Sequence, residues 1–268
     1  LYSKDLISYA TRRGWYNKAT DGKFNFAKVY SDERNFRNIS NIGRMWIATK
    51  LLSGKEYNIE DEFPFSFAPA RKLTMKDIQE FLSNHYEGTD LDDSKNYLKG
   101  NPHNNKIQNI CASHQQISFI AELRQNLPFD IGGRIWVAPR RCCVNPYMPI
   151  YFGVTEFPPN ISMDTPEKAY ELHFKRDQSI YDRTKPMAWW NFIAVTEYID
   201  ENFRERYPKR KKIKENLEQE FSKMVVRIEK DYLPIYKKQP QKAIELLNDF
   251  TKQVIEQTIE ENNNYLKR

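Results

Sequence analysis

Between Asn109 and Phe152 the chain sets four short strand-like runs one after another, with almost nothing helix-compatible between them. They are Asn109-Ile-Cys-Ala-Ser-His114, Gln116-Ile-Ser-Phe-Ile-Ala-Glu-Leu123, Gly133-Arg-Ile-Trp-Val-Ala138 and Pro146-Tyr-Met-Pro-Ile-Tyr-Phe152. Short runs rich in β-branched and aromatic residues, bounded by turn formers, read as strands. Helical patterns flank the block on both sides, so the expected class is α+β, an antiparallel sheet layered with helices.

On the N-terminal side, an amphipathic helix is predicted over Asp5–Arg13, stopped by Gly14, and Asp21-Gly22 reads as a tight turn. A longer helix is predicted from Asp32 to Leu52, with Ile39, Ile42, Trp46, Ala48 and Thr49 on one face and Gly54 as its stop. Prolines 64 and 69 confine Phe63-Pro-Phe-Ser-Phe67 to an edge or an extended loop. Thr74 is a good N-cap for a helix bearing Met75, Ile78, Phe81 and Leu82, which runs into His85-Tyr-Glu-Gly-Thr89.

Beyond Phe157-Pro-Pro-Asn160 the pattern is helical, over Thr165–Asp177, Pro186–Phe203 and Ile213–Tyr232, and again after Pro240. The last stripe is Ala243, Leu246, Leu247, Phe250, Val254 and Ile259, and the tail Glu260–Asn264 is expected to fray. The organisation expected is a catalytic-domain portion over 1–160 and a helical extension over 161–268.

Charge and composition narrow the function. The net charge is +6, and the densest basic run is Lys209-Arg-Lys-Lys-Ile-Lys214, followed at once by Glu215, Glu218 and Glu220. Alternating signs on a helix read as a solvated face and not as a phosphate-binding stripe, so no nucleic-acid partner is expected. No apolar run is long enough to span a bilayer, so no membrane partner is expected either. Three cysteines, Cys111, Cys142 and Cys143, are an odd count without a Cys-x-x-Cys pair, and the four histidines show no metal-ligand spacing. Neither a disulfide framework, a metal nor a cofactor is expected. The chain opens on Leu1 and not Met, so it reads as a processed product or a fragment; the compartment is not specified by these residues.

Several phrases, in order, resemble the cysteine dipeptidases of the N-terminal-nucleophile hydrolase superfamily. They are Gly14-Trp15-Tyr16 with Phe24-Asn-Phe-Ala-Lys28-Val-Tyr30, Gly43-Arg44-Met-Trp46, His85-Tyr-Glu-Gly-Thr89, Ser113-His114, Trp136-Val-Ala138 and Asn145-Pro-Tyr147-Met-Pro149-Ile-Tyr151. The similarity covers roughly residues 1 to 200. It implies half of an αββα sandwich with a helical C-terminal extension, and acyl transfer as the chemistry. In the family a processed N-terminal Cys attacks the peptide carbonyl, and its own α-amino group, with a reference pKa of about 8, takes the thiol proton. The resulting acyl-enzyme is then hydrolysed by water.

The nucleophile and its supporting residues lie upstream of the segment that Leu1-Tyr-Ser-Lys-Asp-Leu resembles, so the catalytic Cys is not in this chain. The chain is therefore expected to be inactive alone and to need the upstream half of the same protein as partner, with a small peptide as substrate; association between copies is left open. Relatives that hydrolyse bile-salt or penicillin-type amides share the chemistry and form the alternative activity, and a non-catalytic binding or scaffold module is the reading from another class.

For substrate binding the resemblance points to Arg44, whose planar fork suits a carboxylate or a developing oxyanion; a surface salt bridge to Asp32 or Glu33 is the competing role. His85 and Glu87 could form an acid–base pair, or a helix-ending His with a capping Glu. His114 is read on a strand, facing away from Ser113 and Cys111, as a hydrogen-bonded core histidine. Tyr147 either lines the substrate pocket or packs. Arg140 and Arg141 would lower the pKa of Cys143 if the turn brings them close, but the thiols are expected to be buried and inert.

Overall fold

The structure, a computed structural model, describes residues 2–161, 165–175 and 187–267. Contacts divide the chain into two units, one formed by 1–72 with 107–109 and the other by 73–106 with 110–268.

In the first unit, α1 (Leu6–Arg12) ends before Gly14, whose φ of +71° is the left-handed conformation that glycine adopts without a Cβ penalty. An aromatic cluster closes over it. Trp15 meets Tyr9 and Tyr30 edge-on, with ring centroids 5.7 and 5.6 Å apart, and Tyr30 donates its hydroxyl to Leu6 O at 2.6 Å. A short helix α2 (Phe26–Tyr30) precedes α3 (Glu33–Phe36) and α4 (Ile39–Ser53). The single helix expected over 32–52 is therefore broken. Asn38 turns extended and its side chain accepts from Ser40 N–H, so it caps a new helix instead of continuing the old one. Ile42, Gly43, Ile47, Thr49 and Ser53 are the buried positions, and Ile39 is exposed.

The second unit opens with α5 (Met75–Leu82), which has the predicted N-cap: Thr74 and Asp77 form a reciprocal capping box. A single 3₁₀ turn covers Pro102–Asn104. Three strands then form an antiparallel sheet in the order β1 (Ile117–Leu123), β2 (Gly133–Pro139), β3 (Met148–Tyr151), with the short α6 (Phe129–Gly132) in the β1–β2 connection. Phe119 pairs with Val137 and Trp136 with Pro149. The run Asn109–His114 is not a strand. Gln115 N–H returns to Ala112 O, and Cys111 N–H bonds Asn84 O, so its backbone is spent on turns. Asn109, Cys111 and Ala112 are all buried, which the alternation of a half-buried strand does not allow. His114 consequently lies in a turn and is exposed, not a core residue on a strand.

The helices after the sheet are α7 (Pro166–Lys175), α8 (Ala188–Glu201), α9 (Phe203–Tyr232) and α10 (Pro240–Leu266). The expected ends of the first helix at Asp177 and start of the second at Pro186 lie outside the described residues. Helices α9 and α10 pack on β3 and, with α8, form the core around Phe192, Ile199, Phe221, Val225, Leu247 and Val254. Two expectations fail here. Arg210 and Lys214, placed on a solvated face by their basic neighbours, are buried. Arg210 donates from Nε to Val144 O at 2.7 Å and from Nη2 to Asn262 Oδ1 at 2.6 Å, while Lys214 pairs with Glu218. For the same reason the tail does not fray, because Asn262 is wholly buried and α10 continues to Leu266.

One face of the sheet is in this core. Glu122 accepts from Arg134 and Trp136, and Arg134 reaches Tyr151 and Glu229. The opposite face is apolar too: Ile117, Phe119 and Leu123 are 57, 61 and 73% exposed.

Candidate functional site

Beneath α5 the chain winds tightly. Tyr86, fully buried, holds φ at +67°, a conformation that costs a non-glycine residue roughly 1–2 kcal/mol. Asn84 Oδ1 accepts Tyr86 N–H, and the Thr89 hydroxyl donates to Tyr86 O. This turn delivers His85 to the interior and brings Glu87 back over it. Glu87 Oε1 lies 2.9 Å from His85 Nδ1, and Oε2 accepts His85 N–H at 2.7 Å. A second strained stretch, Lys95–Asn96–Tyr97, has three consecutive positive φ values, held by Asp92 and Ser94, and it aims the Tyr97 hydroxyl at Glu87 Oε1, 2.5 Å away. Strain of this kind persists only where surrounding structure fixes it, and it concentrates at functional sites.

Three further segments converge on His85. Asn101 caps the 3₁₀ turn by accepting His103 N–H at its Oδ1, and that oxygen also lies 2.8 Å from His103 Nδ1. His103 Nε2 sits 3.1 Å from His85 Nε2. The 111–115 turn brings Cys111 Sγ within 3.8 Å of the same nitrogen, and the β2–β3 connection brings Cys143 Sγ within 3.6 Å. The donor atoms of His85, His103, Cys111 and Cys143 all lie within 4.8 Å of one another, and all four residues are buried. Phe203, stacked on Tyr207 at 4.6 Å, covers both imidazoles.

The outer ring is charged. Arg141 makes a bidentate pair with Asp200, at 2.8 and 2.5 Å, and its Nη1 also lies 2.6 Å from His103 Nδ1. Burial opposes charge on His85, but hydrogen bonds to Cys111 and Glu87 outweigh it and carry its pKa up to about 10. Burial drives His103 the other way, to about 3, against Asp200 and with the help of the nearby His85 and Arg141 charges. Burial also raises the thiols of Cys111 and Cys142. Three buried thiols, none in a disulfide, make poor nucleophiles.

Of the residues singled out in the sequence, His85 and Glu87 are thus brought together. Tyr147 is fully buried, its hydroxyl 2.6 Å from Ser118 Oγ and its N–H bonded to Glu218. Arg44 belongs to the first unit and bonds Ser40 O and Asn41 Oδ1 of its own helix. His114 is outside the cluster. His103, Cys111, Cys143, Arg141 and Asp200 were missed as a group because no local spacing joins them; the only sequence signal was that cysteines in an otherwise polar loop context are usually buried.

The strained turn, the buried histidine pair and the sheet backed by helices name no activity by themselves, and sequence comparison supplies the class. The profile of Peptidase family C69 matches residues 1–216, so the chain belongs to that family. A "Probable dipeptidase" of Salmonella dublin is 28% identical over 162 residues, covering 59% of this chain and 36% of the relative. A "Probable dipeptidase" of Latilactobacillus sakei is 26% identical over 210 residues, 76% of this chain and 39% of the relative. "Probable dipeptidase B" of Lactococcus lactis subsp. lactis (strain IL1403) is 23% identical over 140 residues. The chain spans under two fifths of the length of these relatives.

Proposed function

We propose that this chain is the nucleophile-free portion of a C69 dipeptidase, and that the complete protein hydrolyses dipeptides with an N-terminal cysteine supplied by polypeptide outside residues 1–268. Family membership supports the hydrolase class, and the names of the relatives support the dipeptide substrate. The observation that carries the absence of a nucleophile from this chain is the burial of Cys111, Cys142 and Cys143, at 0, 0 and 1% exposure. A thiol that attacks a peptide must meet it and must ionise, and burial opposes both.

The sheet supports the same reading. Ile117, Phe119 and Leu123 form an exposed apolar row, on the same face as Val137 and Ile135 across the ladder. In a two-sheet sandwich, this is the face a second sheet would cover. Arg44 is the residue proposed to hold the substrate carboxylate, with its guanidinium oriented by Ser40 and Asn41.

The test is turnover by the full-length gene product and by residues 1–268 alone, on a dipeptide panel and on acyl-amide substrates. Dipeptide hydrolysis by the full-length protein only is the expected result. Turnover of acyl amides alone would move the assignment to amidase, and turnover by the isolated chain would overturn it.

A further inference from the structure

We propose that His85, His103, Cys111 and Cys143 bind one zinc ion in a closed, tetrahedral, structural site. Imidazole nitrogen and thiolate sulfur in a two-plus-two set are the donors that select zinc, at about 2.0–2.1 Å for nitrogen and about 2.3 Å for sulfur. Tetrahedral angles at those lengths put nitrogen donors about 3.3 Å apart and nitrogen and sulfur about 3.6 Å apart. The separations here are 3.1 Å between the two Nε2 atoms, and 3.6 and 3.8 Å from His103 Nε2 to Cys143 and Cys111. All four donor atoms fit within 4.8 Å.

The outer partners bear on the ring tautomers. Glu87 is an acceptor at His85 Nδ1, and Asn101 Oδ1 is fixed as oxygen because it also accepts the His103 backbone N–H. Both favour the ring proton on Nδ1, the tautomer that frees each Nε2 for a metal once His85 has given up its second proton. Without metal the 3.1 Å contact is a hydrogen bond from the charged His85 to His103 Nε2, and the ion would take the place of that proton between the two nitrogens. Arg141 Nη1, 2.6 Å from His103 Nδ1, can only donate there, so zinc at Nε2 requires that N–H to turn away and the guanidinium to serve Asp200 alone. The Glu87 carboxylate behind one histidine and Asn101 and Asp200 behind the other are the outer partners that orient metal-ligating imidazoles.

Charge closes the argument. On binding, each thiol and the His85 imidazolium give up one proton to solvent, and two thiolates neutralise the divalent ion, so the buried centre carries no net charge. Four protein donors leave no open position for substrate or water, and the ion would staple together four segments of the second unit.

The full-length protein, purified without chelator, is expected to hold one zinc that Cys143→Ser and His103→Asn lose and Cys142→Ser keeps. Glu87→Gln is expected to weaken zinc by about 10–100-fold in competition with a chromophoric chelator. Because a ligand variant could fail to fold, the wild type is also exchanged with cobalt. Intense visible d–d bands and a near-ultraviolet thiolate-to-cobalt charge-transfer band of two-sulfur strength are expected. Absence of zinc together with absence of that spectrum would overturn the proposal in favour of a histidine pair sharing a proton. Zinc retained undiminished by folded Cys143→Ser would do the same. Neither result bears on the dipeptidase reading, which the turnover assay tests separately.

Discussion

Two lysine–glutamate pairs at the same i,i+4 spacing on α9 should respond in opposite ways to losing their cation. Lys214 Nζ lies 2.9 Å from Glu218 Oε1, with side chains 7 and 9% exposed, whereas Lys211 and Glu215 are 4.0 Å apart and about half exposed. Burial raises the pKa of Glu218, opposed by the Lys214 ammonium and by the Tyr147 N–H. Lys214→Met keeps the stem volume and strands the carboxylate. It can remain ionised, at a cost of about 3–5 kcal/mol for a broken buried pair. Otherwise it takes up a proton on folding, which costs about 1.36 kcal/mol for each pH unit above the unfolded pKa of about 4.3, or about 3.7 kcal/mol at pH 7. The lower-energy route sets the loss, so about 3–4 kcal/mol is expected at pH 7. The sign follows from a folded pKa above the unfolded one: the proton-bound form is favoured below the unfolded pKa and is lost as pH rises. At pH 5 the loss should therefore shrink to about 1 kcal/mol, while Lys211→Met stays within about 0.5 kcal/mol throughout. Urea denaturation of the purified chain followed by circular dichroism at both pH values measures this, and adding Glu218→Gln should recover most of the loss. Equal losses for the two lysine variants, or a loss independent of pH, would refute the reasoning.

Glu229 should behave in the reverse sense. Burial opposes its charge, but Arg124, Tyr151 and Arg134 hold its pKa below the ordinary carboxylate value, so its contribution is present above pH about 4.3 and fades as pH falls through the lower folded value. Glu229→Gln is expected to lose about 2 kcal/mol at pH 7 and little near pH 3 in the same denaturation assay. Lys95, exposed at φ +51°, should accept glycine without the usual loss, because relief of roughly 1–2 kcal/mol of left-handed strain offsets glycine's backbone entropy; a destabilisation above about 1 kcal/mol would contradict the strain argument. Phe119→Glu should leave the stability of the isolated chain within about 0.5 kcal/mol, since the ring already faces solvent, yet abolish dipeptide turnover by the full-length protein, in which that face is proposed to be covered.

What could be read in the sequence was set by local chemistry. Strands β1, β2 and β3 followed from alternation and aromatic content, and α5 from its Thr74 cap, because those signals act over a few residues. Arg210 and Lys214 escaped because their partners are Val144, Asn262 and Glu218, and only packing distinguishes a buried basic residue from an exposed one in a charged run. Asn109–His114 escaped because three buried side chains in a six-residue stretch look alike whether they lie on a strand or wrap a centre. His85 and Glu87 were found because they share one turn. Their partners His103, Cys111 and Cys143 come from three other segments, and a site assembled by tertiary folding leaves no fixed His and Cys spacing in the sequence.

The central claim is that the attacking sulfur does not belong to Cys111, Cys142 or Cys143. The most direct measurement treats the active full-length protein with a dipeptide-derived electrophile and maps the modified cysteine by peptide mass spectrometry. The account predicts stoichiometric labelling of an N-terminal cysteine outside residues 1–268, with loss of turnover in step. Inactivation that instead tracks labelling of Cys111, Cys142 or Cys143 would contradict it.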